Sequence, residues 1–170
     1  HKGALTGIRV EGPTNSVDQR IKRLSKELDL LENEHSVLDV EQSNIFWKKT
    51  KNLEVFSNTK KNLLRVVVPV SETLNFLQKL KNVDLSYFLD WGGSLIWLEL
   101  NDISIKILNE IKDITKDHNG YFTLIKVEED MKAAADIFTI DPIKYKISEK
   151  IKKSFDPKRI FNPGKMYTGI

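Results

Sequence analysis

The stretch LSYFLDWGGSLIWLEL, residues 85–100, carries two runs rich in apolar and aromatic residues on either side of Trp91-Gly92-Gly93. Read locally, Leu85–Asp90 and Ser94–Leu100 are two strands joined by a short glycine-containing link, which is the signature of a hairpin. Strands joined by so short a link run antiparallel, because a parallel pair needs a crossover of a dozen or more residues. The inference decides the fold, since the flanking sequence alternates strand and helix and would otherwise suggest a parallel sheet.

Upstream of the hairpin, Leu63–Val70 is rich in β-branched residues and divides cleanly by period two. Leu64, Val66, Val68 and Val70 form one apolar face, and Arg65 lies on the other with Leu63, Val67 and Pro69. Ser71 is placed to cap a helix carrying Leu74, Leu77 and Leu80. Downstream, Ile103, Ile107, Leu108, Ile111 and Ile114 predict a helix from about Asp102 that stops at Asn119-Gly120. Tyr121–Val127 reads as a strand, Glu128–Ile140 as an irregular crossing. Asp141-Pro142 opens a last helix, with Ile143, Ile147, Ile151 and Phe155 at helical spacing. Nearer the start, Ala4–Glu11 reads as a strand closed by Gly12-Pro13. A helix capped at Ser16 follows, with Val17, Ile21, Leu24, Leu28 and Leu31 on one stripe. A second helix from about Glu41 to Asn52 carries Ile45, Phe46 and Trp47. The order β-α-α-β-α-β-β-α-β-α, with its hairpin, predicts an α+β fold: ferredoxin-like, a mostly antiparallel sheet with helices packed on one face. No repeat or low-complexity linker divides residues 1–170, so one domain is expected.

Composition narrows the function. The 170 residues are 40% hydrophobic and 30% charged, ordinary for a globular chain with a real core. There is no apolar run of membrane-spanning length and no charged-then-apolar leader, so the chain reads as cytoplasmic. The absence of cysteine excludes thiolate nucleophiles, disulfides and cysteine-ligated clusters within the chain. The net charge of +3 arises from 27 basic and 24 acidic residues, and lysine-rich runs such as 48–51, 60–61 and 150–153 read as solvated faces, not as a nucleic-acid footprint. Neither a glycine-rich phosphate loop nor a serine-nucleophile motif is present. His35 and His118 have no third ligand at metal spacing, and three adjacent carboxylates, Glu128-Glu129-Asp130, cannot all face one ion; no metal site is expected. The chain opens at His1 without a methionine, which is expected of a piece of something longer. By residue chemistry alone the chain offers half a site at most.

The final segment changes that reading. Phe155-Asp156-Pro157-Lys158-Arg159-Ile160-Phe161-Asn162-Pro163-Gly164-Lys165-Met166 resembles the FDPxxxFNPGKM ending of FAD-linked oxidases of the vanillyl-alcohol oxidase type. Phe88 to Leu98, with Asp90-Trp91-Gly92-Gly93 at its centre, looks like the DWGGAxxWL hairpin of the FAD-binding subunit family of bacterial glycolate oxidase. Arg9-Val10-Glu11-Gly12, Phe46-Trp47, and Leu64-Arg65-Val66 with Pro69 fit the same family in the same order. One departure stands out: Asn119-Gly120-Tyr121-Phe122-Thr123 occupies the place where the family often has Gly-Gly-His-Ala-Thr, which puts any role of that histidine in doubt.

The resemblance implies a C-terminal cap domain, residues 1–170, over a flavin held by an N-terminal FAD domain outside this chain. It further implies a complex with a second flavin subunit and an iron–sulfur subunit, associated peripherally with the membrane through that complex. FAD is the implied cofactor of the whole protein and is not expected to bind this chain tightly. Under this reading Asn162 and Lys165 are candidates for touching the flavin: the amide offers a donor and an acceptor to the ring edge, and the ammonium balances a reduced, anionic ring. The alternative for Asn162 is a turn before proline. Arg65 has a fork that suits the carboxylate of a 2-hydroxy acid, or else it forms an internal ion pair with Asp90. Asp90, Trp91 and Trp97 are candidates for an interface or pocket wall, against the plainer reading of a hairpin core. The competing class is a free-standing ferredoxin-like interaction module for a protein or RNA partner, and its mark would be stacking aromatics beside basic residues on the sheet.

Overall fold

A computed structural model describes residues 4–29, 35–56, 62–128, 131, 137–139, 141–165, 167 and 170. Of the positions named above, His1, Leu31, Lys60, Lys61, Glu129, Asp130, Ile140 and Met166 lie outside the described residues. The chain forms two compact units, His1–Val55 and Phe56–Ile170.

The first unit holds α1 (Thr14–Asp29) and α2 (Val40–Lys51). Val17, Ile21, Leu24 and Leu28 form the half-buried side of α1, as their spacing predicts. Ser16 is not its cap: the helix begins two residues earlier, with the Pro13 carbonyl accepting from Ser16 and Val17 N–H. α2 opens on a capping box in which Asp39 Oδ1 accepts from Gln42 N at 2.8 Å and Gln42 Oε1 accepts from Asp39 N at 3.2 Å. The strand expected at residues 4–11 is not formed. An extended segment becomes a strand only by pairing, and this one lies against aromatic side chains instead: a Cβ on Gly7 would stand 3.2 Å from the Phe46 ring.

The second unit contains β1 (Asn62–Val67), α3 (Thr73–Lys79), β2 (Leu85–Asp90), β3 (Leu95–Leu100), α4 (Ile105–Asp117), β4 (Tyr121–Lys126) and α5 (Pro142–Phe155). The sheet order is β2-β3-β1-β4 with every neighbouring pair antiparallel. Two crossovers, β1-α3-β2 and β3-α4-β4, each skip one strand, which is the ferredoxin-like βαββαβ arrangement. Both helices lie on the same face. There Leu64, Val66 and Val68 of the first strand region, Ile96, Leu98 and Leu100 of β3, and Phe122 and Leu124 of β4 enclose Phe76, Leu80, Leu108 and Ile111. Each such side chain contributes roughly 1.5–3 kcal/mol by leaving water.

Several boundaries differ from expectation for identifiable reasons. β1 ends at Val67 because Pro69 has no N–H to extend the ladder, and a short 3-10 turn, Val70–Glu72, takes up Ser71 and delays α3 to Thr73. Phe76, not Leu74, is the buried anchor of α3, and Leu74 is exposed. α4 is capped by Ser104, whose hydroxyl accepts from Ile107 N at 3.2 Å, and closes at Gly120, whose N–H donates to Thr115 O at 2.8 Å. α5 starts where Asp141-Pro142 predicts, with Asp141 Oδ1 accepting from Ile143 N and Lys144 N at 2.7 and 3.0 Å. Those bonds, the one from Lys144 first, draw the Asp141 carboxyl below its ordinary value. The apolar face of α5, by contrast, is not buried: Ile143, Ile147, Ile151 and Phe155 are all exposed.

Candidate functional site

The face of the sheet away from α3 and α4 is set by the same period-two alternation that builds the core. Cross-strand register places Phe88, Trp97, Arg65 and Thr123 in one row across β2, β3, β1 and β4. The next row holds Asp90, Leu95, Val67 and Tyr121. Arg65, Trp97 and Phe88 are half-buried, while Leu63 and Leu95 on this face are buried. The sheet therefore presents a guanidinium flanked by aromatic rings.

Above this row sits the hairpin tip. Trp91 has φ +53°, a left-handed conformation that is a true outlier for a bulky side chain and costs on the order of 1–3 kcal/mol. It is fixed by its own neighbours. Asp90 Oδ1 accepts from Trp91 N at 2.7 Å, and the Thr73 hydroxyl donates to Gly93 O at 2.8 Å, tying the tip to the start of α3. Arg65 Cζ lies 5.3 Å from the centre of the Trp91 ring, within cation–π range. Arg65 and Asp90 form no ion pair, because the Asp90 carboxylate is turned to the backbone of Trp91. The structure thus sets Arg65 beside Trp97 in cross-strand register and near the Trp91 ring, with Asp90 bonded to the Trp91 backbone.

Asn162 and Lys165 belong to a second locality, the segment after α5. Its organiser is Asp156, which is only 6% exposed. Its carboxylate binds Lys152 Nζ at 2.7 Å and accepts from Ile160 N and Phe161 N, each at 2.9 Å. The same Lys152 donates to the Phe161 carbonyl. With the Lys152 hydrogen bond as the largest cause and the two backbone donors assisting, the Asp156 carboxyl is held at about 2. The chain then reverses through Asn162 at φ +46° and Gly164 at φ +69°; Asn162 O accepts from Lys165 N at 3.2 Å. Asparagine tolerates this region well, so its backbone acts as the turn while its side chain, like that of Lys165, is exposed. Beyond the turn, Tyr167 packs against Phe138 and Tyr145 with ring centres 5.7 and 6.3 Å away.

Lys152 and Asp156 are the residues that sequence reasoning did not single out. Their signal was present in the i, i+4 spacing of opposite charges ahead of Pro157. Ile160 and Phe161 are exposed. Together with Ile143, Ile147, Ile151 and Phe155 they leave α5 and the segment after it with an apolar surface that nothing in the described residues covers. No hydrogen bond, ion pair or ring contact among the described residues joins Asn162 or Lys165 to the Arg65 group. A cleft of about 610 Å³ between α3 and α4, lined by Lys79, Lys106, Glu110, Asp113 and Asp117, includes none of these candidates. Among the described residues no helix is long and apolar enough to cross a membrane.

The turn exposes one amide, that of Asn162, and one ammonium, that of Lys165. No described cavity of this chain gathers those two groups. Residues 137–166 match the family model of FAD linked oxidases, C-terminal domain, and so take in α5 and the Asp156 turn. No curated protein and no solved structure matches the chain. Over that segment the chain is similar to the C-terminal domain of FAD-linked oxidases.

Proposed function

We propose that this chain is the cap of the FAD-binding subunit of a flavin-dependent 2-hydroxy-acid oxidase of the bacterial glycolate oxidase kind. It covers a flavin held by an FAD domain elsewhere in the same polypeptide. The observation that carries the reading is the apolar ledge of α5, Ile160 and Phe161, which coincides with the matched segment and is left exposed by this chain alone. Burying six large apolar side chains against another domain would contribute on the order of several kcal/mol, enough to hold two domains together. Asn162 and Lys165 then sit at the seam, where they bind the flavin edge and balance its charge on reduction. Bound FAD supplies the hydride-accepting ring. Arg65 holds the substrate carboxylate, with Trp91 and Trp97 walling that side. Electrons leave through a second flavin subunit and an iron–sulfur subunit in a complex at the inner face of the membrane.

A second reading has one observation in its favour: the row of Phe88, Trp97 and Arg65 sets aromatics beside a cation on a ferredoxin-like sheet, as an RNA-binding module does. Burial of Leu63 and Leu95 on that face narrows the platform, and no such module needs the ledge of α5. The test is made in the flavoprotein that contains this chain. Asn162→Ala and Lys165→Ala should weaken flavin retention or slow flavin reduction by roughly 1–3 kcal/mol, the value of a lost bond to a buried or charged partner. Unchanged flavin content and reduction rate in both variants would remove these residues from the seam.

A further inference from the structure

Trp91 occupies a backbone state that its side chain disfavours, and nothing around it demands bulk. A Cβ added at Gly92 or Gly93 would meet no atom within 4 Å, so the tip is not wedged into a tight space. The indole is itself 58% exposed, which rules out a packing role as the reason for the strain. Its specific contact is with Arg65. That arginine is half-buried in the middle of β1, has no carboxylate partner among the described residues, and holds its guanidinium carbon 5.3 Å from the centre of the Trp91 ring. No hydrogen bond to a described residue commits any of its five N–H donors. No buried side-chain nitrogen or oxygen in the described residues lacks a hydrogen-bond partner, so the uncommitted edge of the fork opens to solvent.

We infer that Trp91 is a positioning residue: its ring holds the Arg65 guanidinium by a cation–π contact and leaves the fork to a small planar carboxylate. Asp90 serves this arrangement by binding the Trp91 N–H, which both stabilises the left-handed turn and keeps its own charge away from Arg65. Naming the ligand as a 2-hydroxy carboxylate rests on the proposed function; the Trp91–Arg65 device itself rests on the geometry alone.

Two measurements separate these layers. In the chain by itself, the Arg65 Nε–H resonance should carry the ring-current shift of an indole, and Trp91→Gly should abolish it without lowering the melting temperature, since glycine accepts the left-handed turn freely. A Trp91→Gly protein that melts several degrees lower with the Arg65 resonance unmoved would make Trp91 a packing residue and overturn the inference. In the flavoprotein, Trp91→Gly should raise KM for glycolate about tenfold with kcat changed less than about twofold, in line with loss of one cation–π contact, and Trp91→Phe should recover most of the loss. If Arg65→Gln raises KM and Trp91→Gly does not, the positioning role fails while the Arg65 reading stands. If Arg65→Gln leaves KM for glycolate unchanged, the carboxylate assignment and the proposed role of Arg65 fall together.

Discussion

Ile111 and Ile147 are the same residue type, each at the centre of an apolar stripe on a helix of similar length, and the structure predicts opposite outcomes for them. Ile111 on α4 is 0% exposed and packs against the sheet, whereas Ile147 on α5 is 53% exposed. Truncating Ile111 to alanine removes three carbons from a closed core; the lost transfer energy plus the cavity amounts to about 2–5 kcal/mol. For a chain of this length each kcal/mol lowers the melting temperature by roughly 3 °C, so the expected drop is about 6–15 °C. Ile147→Ala leaves no cavity and should stay within about 0.5 kcal/mol, a shift of under about 2 °C. Helix propensity favours alanine in both places and so cannot create the contrast. The assay is thermal unfolding of both variants followed by circular dichroism, repeated in urea to compare midpoints at equal slope. Equal destabilisation by the two substitutions would mean that α5 is packed in solution and that its apolar ledge is not a free surface.

The Asp156 turn should be sensitive to acid. Its folded pKa of about 2 lies below the ordinary 3.8, so its contribution is complete above about pH 4 and is lost as pH falls toward 2. Ile160 and Phe161 amide resonances should move to unstructured positions across that window, and Asp156→Asn should show no such titration; movement already complete at pH 5 would contradict the assignment. Gly120→Ala should destabilise the chain by about 1–3 kcal/mol, because the new methyl would stand 2.7 Å from the Val67 carbonyl and from Val68 Cγ1. A wild-type melting curve for that variant would show that the α4–β4 corner can relax. Lys165→Ala and Phe161→Ala should each leave the chain's melting temperature nearly unchanged, since both side chains are exposed, whereas Asn162→Ala puts alanine at φ +46° and should cost about 1 kcal/mol; a large drop in either of the first two would place it in the fold.

The second unit was legible in the sequence because its elements announce themselves locally. The Leu85–Leu100 hairpin, the alternation of β1 and the Asn119-Gly120 stop of α4 are short-range signals, and the ferredoxin-like order follows from them. Residues 4–11 failed because a β-rich run is an offer to pair, and pairing depends on a neighbour that local composition does not reveal. Ser16 and Ser71 failed as caps because a helix start depends on which carbonyl and N–H groups are already satisfied, and proline upstream moved both. The stripe of α5 was read correctly as apolar, but periodicity says only that a face will be buried by something. At the site, Arg65 was conspicuous as a charge in a β-branched strand, and Asp90 was a reasonable ionic partner by proximity along the hairpin. The left-handed turn at Trp91 redirected that carboxylate to the backbone, a consequence of one dihedral angle that no residue pattern encodes.

Docking of α5 and its turn onto a flavin-holding domain is tested by a binding titration between this chain and that domain, produced separately with FAD bound and followed by calorimetry. A one-to-one complex is expected, abolished by Phe155→Lys and by Ile147→Lys without a change in the melting temperature of the chain, together with no tight FAD binding by the chain on its own. Stoichiometric FAD retained by the isolated chain, or a complex indifferent to both lysine substitutions, would contradict the cap assignment.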